Sequence, residues 1–101
     1  MPDDTRKLIT IVTEAVLEAE VCDGLEKLGA TGYTVTNARG KGSRGVRDAG
    51  WSTSSNVRIE VVCSDDVAQR IAGHMREKYY NDFAMILFEG DVRVLRPDKF
   101  A

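Results

Sequence analysis

The fold of this chain is decided by the stretch from Gly32 to Arg47, which reads GYTVTNARGKGSRGVR. It begins with an alternating, β-branched run that predicts a strand, and it continues as a loop. From Arg39 to Arg47 there are four positive side chains, three glycines and no acidic side chain. Glycine backbones can turn successive N–H groups into one concavity, and guanidinium groups bind phosphate or carboxylate oxygens in pairs. The stretch therefore predicts an anion-binding loop at the end of a strand.

Apolar periodicity on both sides of this stretch predicts the remaining elements. Apolar residues at helical spacing predict a helix between residues 14 and 28. Thr13 is its candidate N-cap, and Gly29 should end it. Ser64, Asp65 and Asp66 form a helix-start signature for a second helix that reaches Tyr79. Strands are predicted at residues 7–13, 33–37, 57–63 and 83–89, followed by a turn at Gly90–Asp91 and a short strand at 92–95.

This order of elements predicts an α+β fold, the ferredoxin-like βαββαβ sandwich, in a single domain covering residues 1–101. The long connection between the second and third strands, about residues 38–55, exceeds what a hairpin needs, so it is expected to be functional. The two helices can cover only one face of the sheet. Because the first and fourth strands are apolar on both faces, the second face should be buried against other copies of the chain.

Composition narrows the class of protein. With 101 residues, 14 basic and 16 acidic side chains and a net charge of −2, the chain does not have the overall basic charge of a general nucleic-acid binder. It contains no run near the ~18 apolar residues of a membrane span, and its first residues lack the positive region of a signal peptide. We therefore expect a cytoplasmic protein without membrane insertion. Cys22 and Cys63 are too far apart in sequence for a C-x-x-C motif and are expected to be buried thiols, with a disulfide or a redox switch as the alternative.

Catalytic signals are weak, so an enzyme is not predicted. The histidine, His74, has Arg70 and Lys78 at i−4 and i+4, which predicts a solvent-facing position and no metal site. No nucleophile elbow or catalytic triad is found. Asn81–Asp82 could close a turn or contact a base edge. Trp51 could fold back on its own domain or anchor a partner protein.

Several interpretations of the cationic loop remain open. Its spacing does not fit a P-loop, and its position between two strands does not fit a KH domain. It could be a solvated basic hairpin without a ligand, since such loops are common. It could also contact RNA through its cations, or hold a phosphoanhydride that is slowly hydrolysed. No general base is visible for that hydrolysis.

The residues resemble the PII-like signalling proteins, most closely the SbtB and carboxysome-associated branch. The resemblance covers Lys7 to Leu95 and rests on LITIVTE, on GYTVTNARGKGSRGVR and on KYYNDFAMI before the fourth strand. It implies a homotrimer with nucleotide sites between subunits, and it identifies the long connection as the T-loop. It also implies ADP, AMP, cyclic AMP or ATP as ligand and bicarbonate as a further one. The implied role is the regulation of inorganic-carbon uptake through a bicarbonate transporter or a carboxysome-associated protein.

The resemblance also assigns residues to the nucleotide site. The phosphates would be held by the loop residues Gly40, Lys41, Gly42, Ser43, Arg44 and Arg47. The cleft would be lined by Thr36 and Asn37, and the backbone of Asp82, Phe83, Ala84 and Met85 would face the adenine. The chain departs from ordinary PII proteins in lacking their glycine-rich loop before the fourth strand. It also ends in RPDKFA, without the cysteine hairpin of many SbtB relatives.

Overall fold

The structure is a computed structural model that describes residues 4–40 and 55–100. Each α-helix follows a strand that begins a β-α-β unit, as the sequence predicts. The elements are β1 (Thr5–Glu14), a 3₁₀ turn (Ala15–Leu17), α1 (Glu18–Lys27), β2 (Thr34–Ala38), β3 (Asn56–Cys63), α2 (Asp65–Tyr79), β4 (Ile86–Arg93) and a second 3₁₀ turn (Pro97–Phe100).

The described strands form one antiparallel sheet in the order β2-β3-β1-β4. This is the strand order of the ferredoxin-like sandwich, so the predicted fold class is confirmed. β1 is central, which explains why it is apolar on both faces. Its residues Ile9 and Ile11 are fully buried beneath the helices, whereas Leu8 and Val12 lie on the other face and are only half-buried.

The core fills the space between the sheet and the two helices. Because strand side chains alternate, one face of each strand meets the helices, and the helices contribute residues spaced three or four apart. The largest fully buried side chains are Tyr79, Ile9, Ile11, Leu25, Ile59, Ile71 and Met75. Both cysteines are free and buried, as expected.

The ends of the helices follow local chemistry. The Ser64 hydroxyl accepts a hydrogen bond from the Val67 N–H at 3.3 Å, so the predicted cap of α2 is confirmed. Gly29 ends the α1 segment with φ of 110°, and a side chain there would press on Arg70 and Val67. The predicted cap of α1 at Thr13 is wrong. Thr13 remains in β1, and α1 begins after the intervening 3₁₀ turn with no side-chain cap.

The C-terminal part of the sheet differs from the prediction. The turn expected at Gly90–Asp91 and the extra strand expected at 92–95 are wrong, because β4 runs without interruption through both residues. Gly90 pairs with Leu8, and Asp91 pairs with Lys7, whose ammonium group lies 2.6 Å from its carboxylate. Pairing along the ten-residue β1 outweighs the local turn preference. β4 also begins three residues later than predicted, at Ile86.

Candidate functional site

The predicted site residues that the structure describes lie at one end of the strands of the sheet. Asn37 of β2 pairs with Val57 of β3, which pairs with Thr13 of β1. The next pair along β1 joins Val12 to Ile86, the first residue of β4. The end of β2 and the segment preceding β4, residues 82–85, are therefore on the same side of the molecule.

These two groups of residues are separated within one subunit. β3 and β1 lie between β2 and β4, so three strand spacings, about 14 Å, divide them. An adenine nucleotide carries its phosphates at the opposite end from its base. The two groups are therefore too far apart within one subunit to bind a single phosphate together.

At the end of β2, Thr36 and Asn37 are both exposed and point to opposite faces of the sheet. Thr36 shares the face away from the helices with its pairing partner Arg58, whose guanidinium lies 3.2 Å from Glu60. Arg58 is therefore a cation beside the predicted site. It is not among the residues that the sequence predicts for the site, although the alternation of side chains along β3 places it on the same face as Thr36. A side chain at Gly40 would meet no described atom within 4 Å.

The 82–85 segment is attached to the end of α2. The N–H groups of Asp82 and Phe83 both donate to the carbonyl of Tyr79, at 3.1 and 2.9 Å. The Phe83 ring packs edge-on to the Tyr79 ring, and Met85 is buried. Asp82 remains exposed. The segment is thus a compact turn that the side chains of Phe83 and Met85 anchor.

The cationic part of the predicted site lies outside the described residues. This holds for Lys41, Gly42, Ser43, Arg44 and Arg47, and also for Trp51. The far end of that connection is described again at Ser55, whose carbonyl accepts a hydrogen bond from the Ala15 N–H at 2.6 Å. The connection therefore begins and ends at the same end of the strands as the 82–85 segment.

His74 is placed differently from its prediction. It is half-buried rather than solvent-facing, and its Nε2 lies 3.7 Å from where a Cβ on Gly24 of α1 would be. Its ring is also edge-on to Tyr79, with centroids 6.3 Å apart. His74 is therefore part of the contact between the helices. In residues 4–40 and 55–100, no three His, Cys, Asp or Glu side chains are grouped to hold a metal ion.

The thiols are poorly suited to redox or nucleophilic chemistry. Burial raises the pKa of Cys63 to about 11, and burial also raises the pKa of Cys22 above its ordinary value. Both thiols therefore stay protonated near neutral pH, and the thiolate is the reactive form. The described residues thus supply no activated nucleophile from cysteine.

A shallow cavity of about 300 Å³ lies away from these residues and is lined by Glu18, Ala19, Cys22, Asp23, Glu26 and Tyr33. Three of its lining side chains are carboxylates, which would repel a phosphate. This cavity is therefore unsuited to the anion that the cationic loop predicts.

A four-stranded ferredoxin-like sheet with two helices and a long connection between β2 and β3 defines a class of small α+β domain. Comparison with protein families identifies the family within this class: residues 6–99 match the one described as nitrogen regulatory protein P-II. The chain belongs to this P-II family, whose members are signalling proteins that form homotrimers.

Solved structures agree with this membership. A PII-like signalling protein from Thermus thermophilus is 41% identical, with a TM-score of 0.82 and 96% of each chain covered. CPII from Thiomonas intermedia K12, solved with ADP, AMP and bicarbonate, is 22% identical, with a TM-score of 0.81, and the match covers 95% of this chain and 93% of CPII. At that identity, CPII shows a shared fold. No helix in the described part of the chain is long and apolar enough to span a membrane.

Proposed function

We propose that this protein senses adenine nucleotides, with ADP or AMP as the main ligands and cyclic AMP or ATP as further candidates. The ligand binds in the clefts between the subunits of a homotrimer. The observation that carries the proposal is that the start of the cationic connection, at the end of β2, and the 82–85 segment lie at the same end of the strands. The cations suit the phosphates, and the backbone of the 82–85 segment suits the base.

The nucleotide site is proposed to consist of the residues that the sequence predicts. Thr36 and Asn37 line the cleft, and Asp82 to Met85 face the adenine. The phosphates are bound by Gly40, Lys41, Gly42, Ser43, Arg44 and Arg47. CPII, which shares the fold, is known with ADP, AMP and bicarbonate, and this supports the choice of adenine nucleotides and the addition of bicarbonate as a ligand.

The output of the sensor is proposed to be the T-loop, about residues 38–55, with Trp51 as a contact for a partner protein. The resemblance to the SbtB and carboxysome-associated branch favours a cytoplasmic role in inorganic-carbon uptake or fixation. The partner would then be a bicarbonate transporter or a carboxysome-associated protein. A ligand that orders the loop in one conformation would select one partner-binding state.

Calorimetry tests this function with AMP, ADP, ATP and cyclic AMP, each with and without bicarbonate. We expect Arg44→Ala and Arg47→Ala to weaken binding at least about tenfold, because each removes charge-assisted bonds to phosphate. The trimer should stay intact. Lys27→Ala is the control, because Lys27 is exposed on α1, where its ammonium lies 3.2 Å from the Asp23 carboxylate. Unchanged affinity in both arginine variants would contradict the assignment.

RNA binding is the second candidate function, favoured by the local density of positive charge between Arg39 and Arg47. Binding to RNA should weaken steeply with salt and show little preference among bases. A nucleotide sensor should instead prefer ADP over GDP at a fixed salt concentration. Calorimetric titrations with ADP and GDP at fixed salt, and with RNA over a range of salt concentrations, therefore separate the two functions.

A further inference from the structure

Tyr79 connects the end of α2 to the segment proposed to face the base. It is 2% exposed, and its carbonyl accepts the N–H groups of both Asp82 and Phe83. Its ring is also in contact with Phe83, with centroids 6.0 Å apart and an angle of 62° between the ring planes. One residue thus fixes the segment through its backbone and through its side chain.

The Tyr79 hydroxyl is itself held by α1. It donates a hydrogen bond of 2.7 Å to Oε2 of Glu20, and the Lys78 ammonium lies 3.1 Å from the same oxygen. Burial and the neighbouring Glu20 carboxylate raise the pKa of Tyr79 well above its ordinary value, so its phenol remains a donor. Hydrogen bonds to a charged acceptor are stronger than those between neutral groups. The ring orientation of Tyr79 is therefore determined from both helices.

We propose that Tyr79 is a positioning residue for base recognition and that its hydrogen bond to Glu20 holds the 82–85 segment in the conformation that accepts adenine. The inference rests on the proposed function, because it takes the 82–85 segment as the part that faces the base. Backbone recognition of a base edge requires donors and acceptors that are already in place before binding. Loss of the Tyr79–Glu20 bond leaves the segment to be ordered by the ligand, which costs affinity.

The effect should be specific to the base. GDP would use the same phosphate contacts as ADP but not the adenine contacts of the segment. A change that loosens residues 82–85 should therefore lower the affinity for ADP more than the affinity for GDP. A general loss of stability would lower both affinities alike.

The test compares Tyr79→Phe and Glu20→Ala, which remove the donor and the acceptor, with Glu20→Gln, which keeps an acceptor oxygen. Asp23→Asn is the matched control, because it disrupts a 3.2 Å ion pair to Lys27 on the same helix without touching Tyr79. Hydrogen exchange is measured at the amides of Asp82 and Phe83, with Ile9 and Ile11 of the core as an internal reference. ADP and GDP affinities are measured by calorimetry.

We expect Tyr79→Phe and Glu20→Ala to exchange faster at Asp82 and Phe83 only, and to bind ADP about 3–10 times more weakly, the effect of one hydrogen bond. Their preference for ADP over GDP should fall by the same factor, while Glu20→Gln, which keeps a neutral acceptor, should lose less than Glu20→Ala and Asp23→Asn should stay close to the wild type. Equal losses for ADP and GDP, or wild-type values in both Tyr79→Phe and Glu20→Ala, would overturn the inference alone. A wild-type protein that binds neither nucleotide would overturn the proposed function as well.

Discussion

Thr13 ends the buried part of β1 with a hydroxyl group that makes no hydrogen bond. It is 1% exposed, and of the buried side-chain nitrogens and oxygens in residues 4–40 and 55–100, its Oγ1 alone is without a partner. A buried polar group without a hydrogen bond pays its desolvation cost without compensation. An apolar side chain of the same shape at this position should make the fold more stable.

We therefore predict that Thr13→Val raises the free energy of unfolding by about 1 kcal/mol, because the methyl group that replaces the hydroxyl needs no partner. Urea denaturation of the protein without ligand measures the change. Thr13→Ser is the control, since it keeps the hydroxyl and loses the methyl group, and it should be less stable than the wild type. A destabilised Thr13→Val would show that the hydroxyl has a partner in solution.

At the scale of secondary structure, the contact between α1 and α2 should respond to acid. The hydrogen bond from Tyr79 and, next, the one from Lys78 lower the pKa of Glu20 below its ordinary value of 4.5. A carboxylate whose pKa is lowered by folding stabilises the folded state above its unfolded pKa and loses that contribution as the pH falls through its folded pKa.

Glu20→Gln should accordingly melt below the wild type at pH 7, and the difference should shrink as the pH falls below about 4.5. Thermal melts of both proteins between pH 7 and about pH 3 measure it, and the shared response of the other carboxylates cancels in the difference. A gap in melting temperature that stays constant across this range would show that the charge of Glu20 plays no part.

The elements with a clear period could be predicted from the sequence, as could the ends that local chemistry sets, but the ends set by strand pairing could not. The apolar spacing of Val67, Ile71, Met75 and Tyr79 was sufficient for α2, because a helix and its cap are local. Gly90–Asp91 has the composition of a turn, yet both residues lie within β4, because pairing with β1 is a non-local interaction. The same reason explains why β1 extends to Glu14, opposite Asn56, past the predicted cap.

The candidate site remains a prediction, and its two parts came from different features of the sequence. Glycine and arginine spacing indicated the anion-binding loop, and the resemblance to PII-like proteins supplied the 82–85 segment. The support behind that segment was not predictable. The Tyr79–Glu20 bond joins residues 59 positions apart and depends on how the two helices are rotated against each other. Periodicity places Tyr79 in the core but says nothing about the partner of its hydroxyl.

For the whole molecule, the face of the sheet away from the helices determines assembly. Ile86 and Phe88 of β4 are 55% and 54% exposed there, beside the half-buried Leu8 and Val12 of β1. An exposed apolar surface on a central strand and its neighbour is costly in water and favours association. In a family of homotrimers, this is the face that copies of the chain are expected to bury against one another.

Phe88→Glu should therefore prevent trimer formation, because a carboxylate would be buried without a partner, close to Glu60 in the same row of paired residues. Sedimentation velocity measures the result, with monomer expected for the variant and trimer for the wild type. Leu95→Glu is the control, since Leu95 is 95% exposed and lies beyond the end of β4. A trimeric Phe88→Glu would place the interface elsewhere.

The hydrogen bond from Ala15 to Ser55 joins the residue before β3 to the 3₁₀ turn before α1. Ser55 cannot shift outward without breaking this 2.6 Å bond or drawing the 3₁₀ turn along with it. That turn leads directly into α1, and Glu20 lies in the first turn of that helix. The third-strand end of the connection is therefore tethered to the same helix that orients Tyr79. The second-strand end follows Ala38, the last residue of the edge strand β2, which pairs with Asn56 of β3. A displacement of Ser55 would therefore be transmitted through the 3₁₀ turn to α1.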